Sequence, residues 1–364
     1  MNVEVRANTG SALALMESIH AKGYPLVQEY PQVFSPDSRA KVVVAEEGGE
    51  VHSACAILQR ELIFPDGMGK PRLIQIGLIG SVSTAVESRH QGLAGSVLDA
   101  AERELKDAGC LFCMLWADDP GFYETRGYQP IGLEFDFVLE RSLCQQLPAA
   151  THVRSALPGD FKRLHELYMA QDRRMVRQPV ESSRLFSTPG MRLMVHDQGN
   201  GPVAYACLGR GHDLEDVVHE WAGEHTGVLA CLRALLEADS AREAGSPLFM
   251  MASASDGAVT DWLQQHGAMC APGVLGLAKI LDIESAKQLI ADDCEGELSF
   301  GATSRGNVVV RKGSKSAELS PQMWLDLLLP PKGQCQGLER LERQLATRFE
   351  SLPWAPFLWG LDSI

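Results

Sequence analysis

One passage constrains this chain more than any other: Val82-Ser83-Thr84-Ala85-Val86-Glu87-Ser88-Arg89-His90-Gln91-Gly92-Leu93-Ala94-Gly95-Ser96. The run before it, from Leu73, reads as a strand. After it Leu93, Val97, Leu98, Ala101, Leu105 and Ala108 recur with the spacing of one helix face, and Gly109 suits the left-handed conformation that ends a helix. A strand, a tight turn and a helix thus follow one another directly, as in α/β folds. Where small residues open a helix, free main-chain N–H groups can approach an anion closely, and the helix dipole adds a partial positive charge. A pyrophosphate fits such a place, and Arg89 and His90 supply local positive character. Other phosphate cradles fail on inspection. Gly69-Lys70 is followed by Pro71 rather than Ser or Thr, and Arg89 and Gln91 occupy positions where a dinucleotide fingerprint needs glycines.

The balance of 33 basic against 47 acidic residues gives a net charge of -14, which repels polyanions and argues against nucleic acid as a partner. A cationic partner suits that field better. Met1-Asn2-Val3-Glu4-Val5-Arg6 does not resemble a signal peptide, and no uncharged apolar run approaches the ~18 residues of a membrane span. Nine cysteines scattered through 364 residues argue for a reducing compartment, so a cytoplasmic location with no membrane partner is expected. Cys110-x-x-Cys113 has no second pair and no nearby His, and reads as core at the start of a buried strand rather than as a zinc or redox site. His219 and His225 lack a third partner, so no metal is expected.

A polar, Pro-containing passage at 141–151 reads as a linker, and the order of elements beyond it divides the chain into segments 1–150, 151–282 and 283–364. The first is mixed α/β: a helix around 11–22, strands at 41–46, 51–64 and 73–84 with a hairpin loop at 65–71, the helix 92–108, a buried strand 111–116, a brief helix, and closing strands within 128–139. The second repeats that order in outline: a helix at 160–170, strands at 192–196 and 203–208, a helix at 228–244, a strand at 247–252, and a helix plus strand ending at 278–281. The third combines strands at 298–303 and 307–311 with two helices, one starting at Ser320-Pro321 and one bearing Leu338, Leu341, Leu345 and Phe349. The final run, Pro353 to Ile364, carries so many large apolar groups that it is expected to dock in a groove.

Arg89-x-x-Gly92-x-Ala94 matches the Q/R-x-x-G-x-G/A signature of the GCN5-related N-acetyltransferase (GNAT) superfamily, and Phe122-Tyr123-Glu124-Thr125-Arg126-Gly127-Tyr128 resembles its Phe-Tyr-x-x-x-Gly-Phe segment. The ordered set of hairpin, long strand, motif, amphipathic helix, buried strand and Phe-Tyr is more specific than either motif alone. In architecture the chain resembles the subfamily typified by the enhanced intracellular survival protein. That resemblance implies an α/β (α+β) fold class: tandem GNAT folds, each a mixed, mainly antiparallel sheet flanked by helices, plus a small α/β C-terminal domain. An acetyl-CoA-binding domain would span 1–150, a degenerate second GNAT-like domain 151–282, and a sterol-carrier-like domain with the docking tail 283–364.

What the resemblance implies can be carried onto residues. Backbone groups of Val82, Ser83 and Thr84 would pair with the pantetheine arm, amides of Gln91, Gly92, Leu93, Ala94, Gly95 and Ser96 would cradle the pyrophosphate, and Arg89 and His90 would stand beside it. Gly77 and Gly80 read as a bulge or close approach, or as weak strand residues without a role. Tyr123 corresponds to the tyrosine that protonates the departing CoA thiolate, although packing alone also explains an aromatic there. Many relatives place a Glu in the central strand as base, but residues 73–83 contain no carboxylate. Two candidates remain: Asp118 and Asp119, which also read as a plain turn, and the α-carboxylate of Ile364, which serves as base in the resembling subfamily. Removing the last four residues is expected to abolish turnover while sparing acetyl-CoA binding. A tail that only staples domains together is the other reading.

The expected function is transfer of an acetyl group from acetyl-CoA to a primary amine of a small cationic molecule or an exposed protein amine, by direct attack. Transfer of a longer acyl group is the nearest alternative, and a non-catalytic acyl-CoA sensor or scaffold is the alternative from another class. The second segment carries Glu220-Trp221-Ala222-Gly223-Glu224 where a diphosphate would sit, so it is expected to bind no CoA. Lipid carriage by 283–364 rests on fold analogy and predicts an apolar tunnel. The resemblance also implies a homo-oligomer, with no interface legible in the sequence.

Overall fold

The computed structural model describes the chain except for residues 8, 22–23, 239–245, 254–256, 294–296 and 304–306. Among the described residues the strands form sheets of eight, seven and three strands. The first sheet grows from the expected hairpin, Glu50–Pro65 paired antiparallel with Pro71–Thr84. Asp66 closes its loop by accepting the amides of Met68 and Lys70, each at 2.9 Å. Lys41–Glu47 and Asn2–Arg6 extend the sheet on one side. On the other side Phe112–Leu115 joins in parallel, and only from Ile76↔Phe112 to Leu78↔Met114. Past Leu78 the two strands part.

Helix Leu93–Asp107 connects these two strands and buries Val97, Leu98, Ala101 and Leu105. A Cβ added at Gly77 would lie 2.4 Å from Cδ1 of Leu105, so this glycine marks where helix and strand come too close for a side chain. Gly109, at φ +83°, ends the helix in the left-handed region. Cys110 and Cys113 are buried free thiols, with burial pushing each up to about 12, as a core reading requires.

The two large sheets exchange strands, which the sequence reading does not anticipate. Gln129–Ile131 stays in the first sheet, but Glu134–Leu139 pairs with Leu248–Ser253 and Met269–Gly273 in the second. Reciprocally, Gly276–Ile280 returns to the first sheet between Phe112–Leu115 and Gln129–Ile131. Gly132, at φ +70°, turns the chain between the two closing strands, and a Cβ there would sit 2.8 Å from Leu275 of the returning segment. Boundaries at 150 and 282 therefore do not follow sheet membership.

In the second sheet Val217–Gly223 leads into helix His225–Ala238 as Pro71–Thr84 leads toward Leu93–Asp107. That strand is absent from the sequence reading because His219 and Glu220 interrupt its apolar pattern, and both are fully buried. Of the helix expected over 228–244, residues 239–244 lie outside the described residues, as does Lys22 at the end of the first expected helix, observed over Gly10–His20.

The C-terminal part holds helix Ile283–Asp293, the three-stranded sheet Leu298–Ala302, Val308–Lys312 and Lys315–Leu319, and helices Pro321–Leu328 and Gln336–Leu345. Ser320 and Pro321 occupy the expected N-cap and first helical positions, but the Ser320 side chain makes no capping bond. Phe349 is buried but lies beyond its helix, which ends at Ala346 in the left-handed region. The tail does dock: Trp354, Phe357, Trp359 and Leu361 are all at most 2% exposed. Its Trp354 meets Phe64 of the hairpin at 5.5 Å between ring centroids.

Candidate active site

Where Pro71–Thr84 and Phe112–Leu115 part, a cavity of 640 Å³ opens between Ile79–Val82 and Leu115–Asp119. The central strand is bulged at this point. Pairing jumps from Ala56↔Gly80 to Ala54↔Ser83, leaving Ser81 and Val82 opposite Cys55 alone, with Ser81 at φ +50°. The side of the strand that faces the cavity has no strand neighbour beyond Leu78, and the Val82 carbonyl lies 3.2 Å from Nε2 of His20. Ser83 itself is held from the hairpin partner, its carbonyl accepting the Ser53 hydroxyl at 2.9 Å.

The chain terminus reaches this cavity. A Cβ added at Gly80 would lie 2.7 Å from both the carboxyl carbon and an oxygen of Ile364, so the close-approach reading of this glycine holds. Side chains from two separate parts of the chain hold the last turn. Arg210 donates to the carbonyls of Gly360 and Ser363, the latter at 3.1 Å, and lies over the Tyr30 ring at 4.5 Å. Gln32 donates to the Ser363 carbonyl at 2.7 Å.

Tyr123 lines the same cavity from the short helix Gly121–Glu124, packed edge-on to Tyr128 at 5.8 Å. Burial pushes its phenol up to about 12, so it stays a proton-bearing donor. Asp118 and Asp119 line the cavity too, and Asp119 accepts the Gly121 amide at 3.1 Å, which is the turn role weighed from sequence. The structure thus brings Val82, Tyr123, Asp118, Asp119 and Ile364 to one space.

The Arg89–Ser96 loop lies past the end of the central strand, outside that cavity. His90 and Gly92 have left-handed φ of 62° and 79°, and Gly92 caps the helix with open space where its side chain would be. This conformation turns the chain sharply enough that the helix begins at once, with its first amides unclaimed by a capping side chain. Arg89 and His90 are exposed, Arg89 donating to the Thr84 carbonyl at 3.4 Å. The sequence reading missed Arg126, whose guanidinium donates to the Gly95 carbonyl at 3.0 Å and pairs with Asp99. It is the arginine inside the Phe-Tyr segment, and its position three residues after Tyr123 is the signal that could have found it.

Also missed is the acidic wall. Glu29, Glu134, Asp136 and Asp213 join Asp118 and Asp119 around the cavity; among the described residues Arg210 is the lysine or arginine in its lining, and the Lys332 charge acts on Asp136 from outside it. Nothing in the sequence gathers these acids, because they come from four distant segments. Glu134 and Asp136 are two apart on one strand, hence on one face. Burial, then the Asp136 charge, pushes Glu134 up to about 8, and burial raises Asp136 as well. Burial also raises Glu29, opposed by the Arg210 charge.

From its ordinary 4.5 to about 8, Glu134 in the folded protein keeps a proton that the unfolded chain has lost. Its contribution to stability therefore falls as pH rises through that window. Glu134→Gln removes the dependence, so the variant gains on the native protein by up to ~4 kcal/mol between the two ends. Urea midpoints on either side of the window check this, and parallel pH curves for the two proteins would refute it.

A family model described as an acetyltransferase (GNAT) domain matches residues 15–131, which hold the central strand, the Arg89–Ser96 loop and Tyr123. No curated protein matches the chain by sequence. Solved structures with the same fold include a GCN5-related N-acetyltransferase from Kribbella flavida, 17% identical with a TM-score of 0.59, and one from Anabaena variabilis ATCC 29413, 13% identical with a TM-score of 0.63. Each comparison covers 100% of both chains. Eis1 from Mycobacterium abscessus is 13% identical with a TM-score of 0.56, covering 98% of this chain and 99% of that one. Residues 15–131 thus match an acetyltransferase (GNAT) domain, and the chain shares the fold of these solved structures along its whole length.

Proposed function

We propose that this protein transfers an acetyl group from acetyl-CoA to a primary amine on a cationic acceptor, by direct attack within the 640 Å³ cavity. The observation that carries the reading is the arrival of the Ile364 carboxylate against Gly80, in the cavity that Tyr123 also lines.

The donor fits the residues present. Main-chain amides from Gln91 to Gly95 hold the pyrophosphate at the helix start, with Arg89 and His90 beside it, whereas the Ser96 amide is already committed to the Gly92 carbonyl at 3.1 Å. The bulged strand offers Val82, Ser83 and Thr84 to the pantetheine arm. Acetyl-CoA brings an activated thioester, and the chain's own groups then manage two protons. A lysine-like ammonium with pKa near ~10.4 must lose one before it can attack, and the Ile364 carboxylate accepts it. The amine nitrogen then bonds to the thioester carbon as the carbon–sulfur bond breaks. Tyr123 donates its hydroxyl proton to the sulfur, and the second proton leaving the nitrogen restores the phenol. A phenol raised to about 12 does not ionise beforehand, so its proton moves only when the sulfur develops charge.

The acidic wall, apart from Glu134, which keeps its proton up to about 8, favours a cation and repels anionic acceptors. Residues 151–282 take no CoA in this reading: Glu220, where a diphosphate would sit, is buried and committed to Arg177 at 2.6 Å. The test is release of free CoA from acetyl-CoA in the presence of polyamines, aminoglycosides and lysine-bearing peptides, each compared with its fully N-acetylated form. Turnover with free amines alone is expected. Binding of acetyl-CoA with no release under any acceptor would favour the sensor reading instead.

A further inference from the structure

The second sheet repeats the geometry that makes the cavity in the first. Val217–Gly223 and Leu248–Ser253 pair in parallel only at Val217↔Phe249 and Val218↔Met250, then part. The central strand is bulged beside the parting here too, with His219 left over between Leu208↔Val218 and Cys207↔Glu220. In the first sheet this gap is open. In the second the C-terminal tail meets it: Trp359 packs edge-on to Trp221 at 5.3 Å, and a Cβ at Gly360 would lie 2.5 Å from Cβ of His219.

Two residues on, Asp362 enters a buried ionic cluster. Arg177 donates through Nε to Asp362 at 2.7 Å and through both terminal nitrogens to Glu220 at 3.2 and 2.6 Å. Tyr168 donates to Asp362 at 2.7 Å and Tyr205 to Glu220 at 2.9 Å, and the guanidinium lies over the Tyr168 ring at 3.7 Å. The side chains of Arg177, Glu220 and Asp362 are all 0% exposed, and none of them lines the cavity.

Apolar packing would hold a tail at least as firmly, because desolvating ions offsets most of their attraction. What an ionic cluster adds is register. If the tail slid by one residue, Leu361 or Ser363 would face Arg177, Asp362 would be buried without a cation, and a bulkier residue would press on His219. The same slip would carry the terminal carboxylate ~3.4 Å from its place beside Gly80.

We propose that the second sheet serves as a socket that fixes the register of the tail, with Arg177, Glu220 and Asp362 as positioning residues for the Ile364 carboxylate. This rests on the reading of that carboxylate as the base.

The experiment compares the native-length chain with one extended by two glycines after Ile364, each with and without Asp362→Ala, by radiolabelled acetyl transfer. Acetyl-CoA affinity is read separately by calorimetry. In the native-length chain Asp362→Ala lowers kcat about 100-fold with acetyl-CoA affinity unchanged, as a misplaced catalytic group does. In the extended chain, whose terminal carboxylate is already displaced, the same substitution costs less than about threefold, because both changes act through one group. Equal losses in both chains overturn the socket while leaving the base intact. Full activity of the extended chain without substitution removes the base, and the socket with it. If Asp362→Ala folds poorly, Tyr168→Phe withdraws one bond from Asp362 without unpairing a charge. It should lower kcat about tenfold in the native-length chain alone, and an equal loss in both is again fatal.

Discussion

Deletion of Ile364 alone lowers kcat by about 10²- to 10³-fold, the range expected for loss of a general base, and leaves acetyl-CoA affinity unchanged. The new terminus, on Ser363, stands ~3.8 Å back along the chain. Its carbonyl is held there by Arg210 and Gln32, which keeps the shortened end from creeping forward. The four-residue deletion suggested by sequence is a poorer instrument. It removes Leu361 and Asp362, both 0% exposed, and so mixes loss of the base with loss of core and of one partner of Arg177. Steady-state kinetics with calorimetry on the single deletion checks the prediction, and undiminished kcat refutes it.

Arg177→Met produces the largest loss of stability expected from a single substitution in this chain. Two carboxylates with 0% exposed side chains, Glu220 and Asp362, then lie buried together with no cation. Breaking a buried pair in this way costs about 3–5 kcal/mol, because the remaining charge has neither water nor partner. The companion change tests the cause: adding Glu220→Leu and Asp362→Leu to Arg177→Met removes the orphaned charges and restores most of the lost stability. Denaturant midpoints decide the matter, and a triple variant as unstable as the single one would sink it.

Much of the first sheet was legible because its residues act locally. The hairpin loop, the apolar stripe of Leu93–Asp107 and the left-handed Gly109 each follow from residues close in sequence, and the structure returns them nearly unchanged. Gly77 and Gly80 were flagged as either close approaches or idle strand residues, and what approaches them, Leu105 and Ile364, decides for the first. The docking of the tail was also readable, since exposed Trp354, Phe357 and Trp359 would be costly in water.

The rest depended on contacts that spacing does not encode. Val217–Gly223 hid behind His219 and Glu220, which look like surface residues until Arg177, more than 40 positions earlier, is seen to neutralise one of them. His219 stays neutral inside, burial and the Arg210 charge taking it down to about 3. The acidic wall comes from residues between Glu29 and Asp213 that only folding assembles. Asp362 could be read from sequence as one more polar residue near a terminus. Its meaning lies in Tyr168 and Arg177, on the opposite side of the chain's history.

The reciprocal crossing of Glu134–Leu139 and Gly276–Ile280 carries a consequence for how this protein comes into being. While the ribosome is still short of residue 276, the first sheet lacks an interior strand, and Gln129–Ile131 has nothing between it and Phe112–Leu115 to bind. Neither half can therefore mature as an independent unit, and a gene split at the apparent linker would yield two fragments, each waiting for a strand that the other contains.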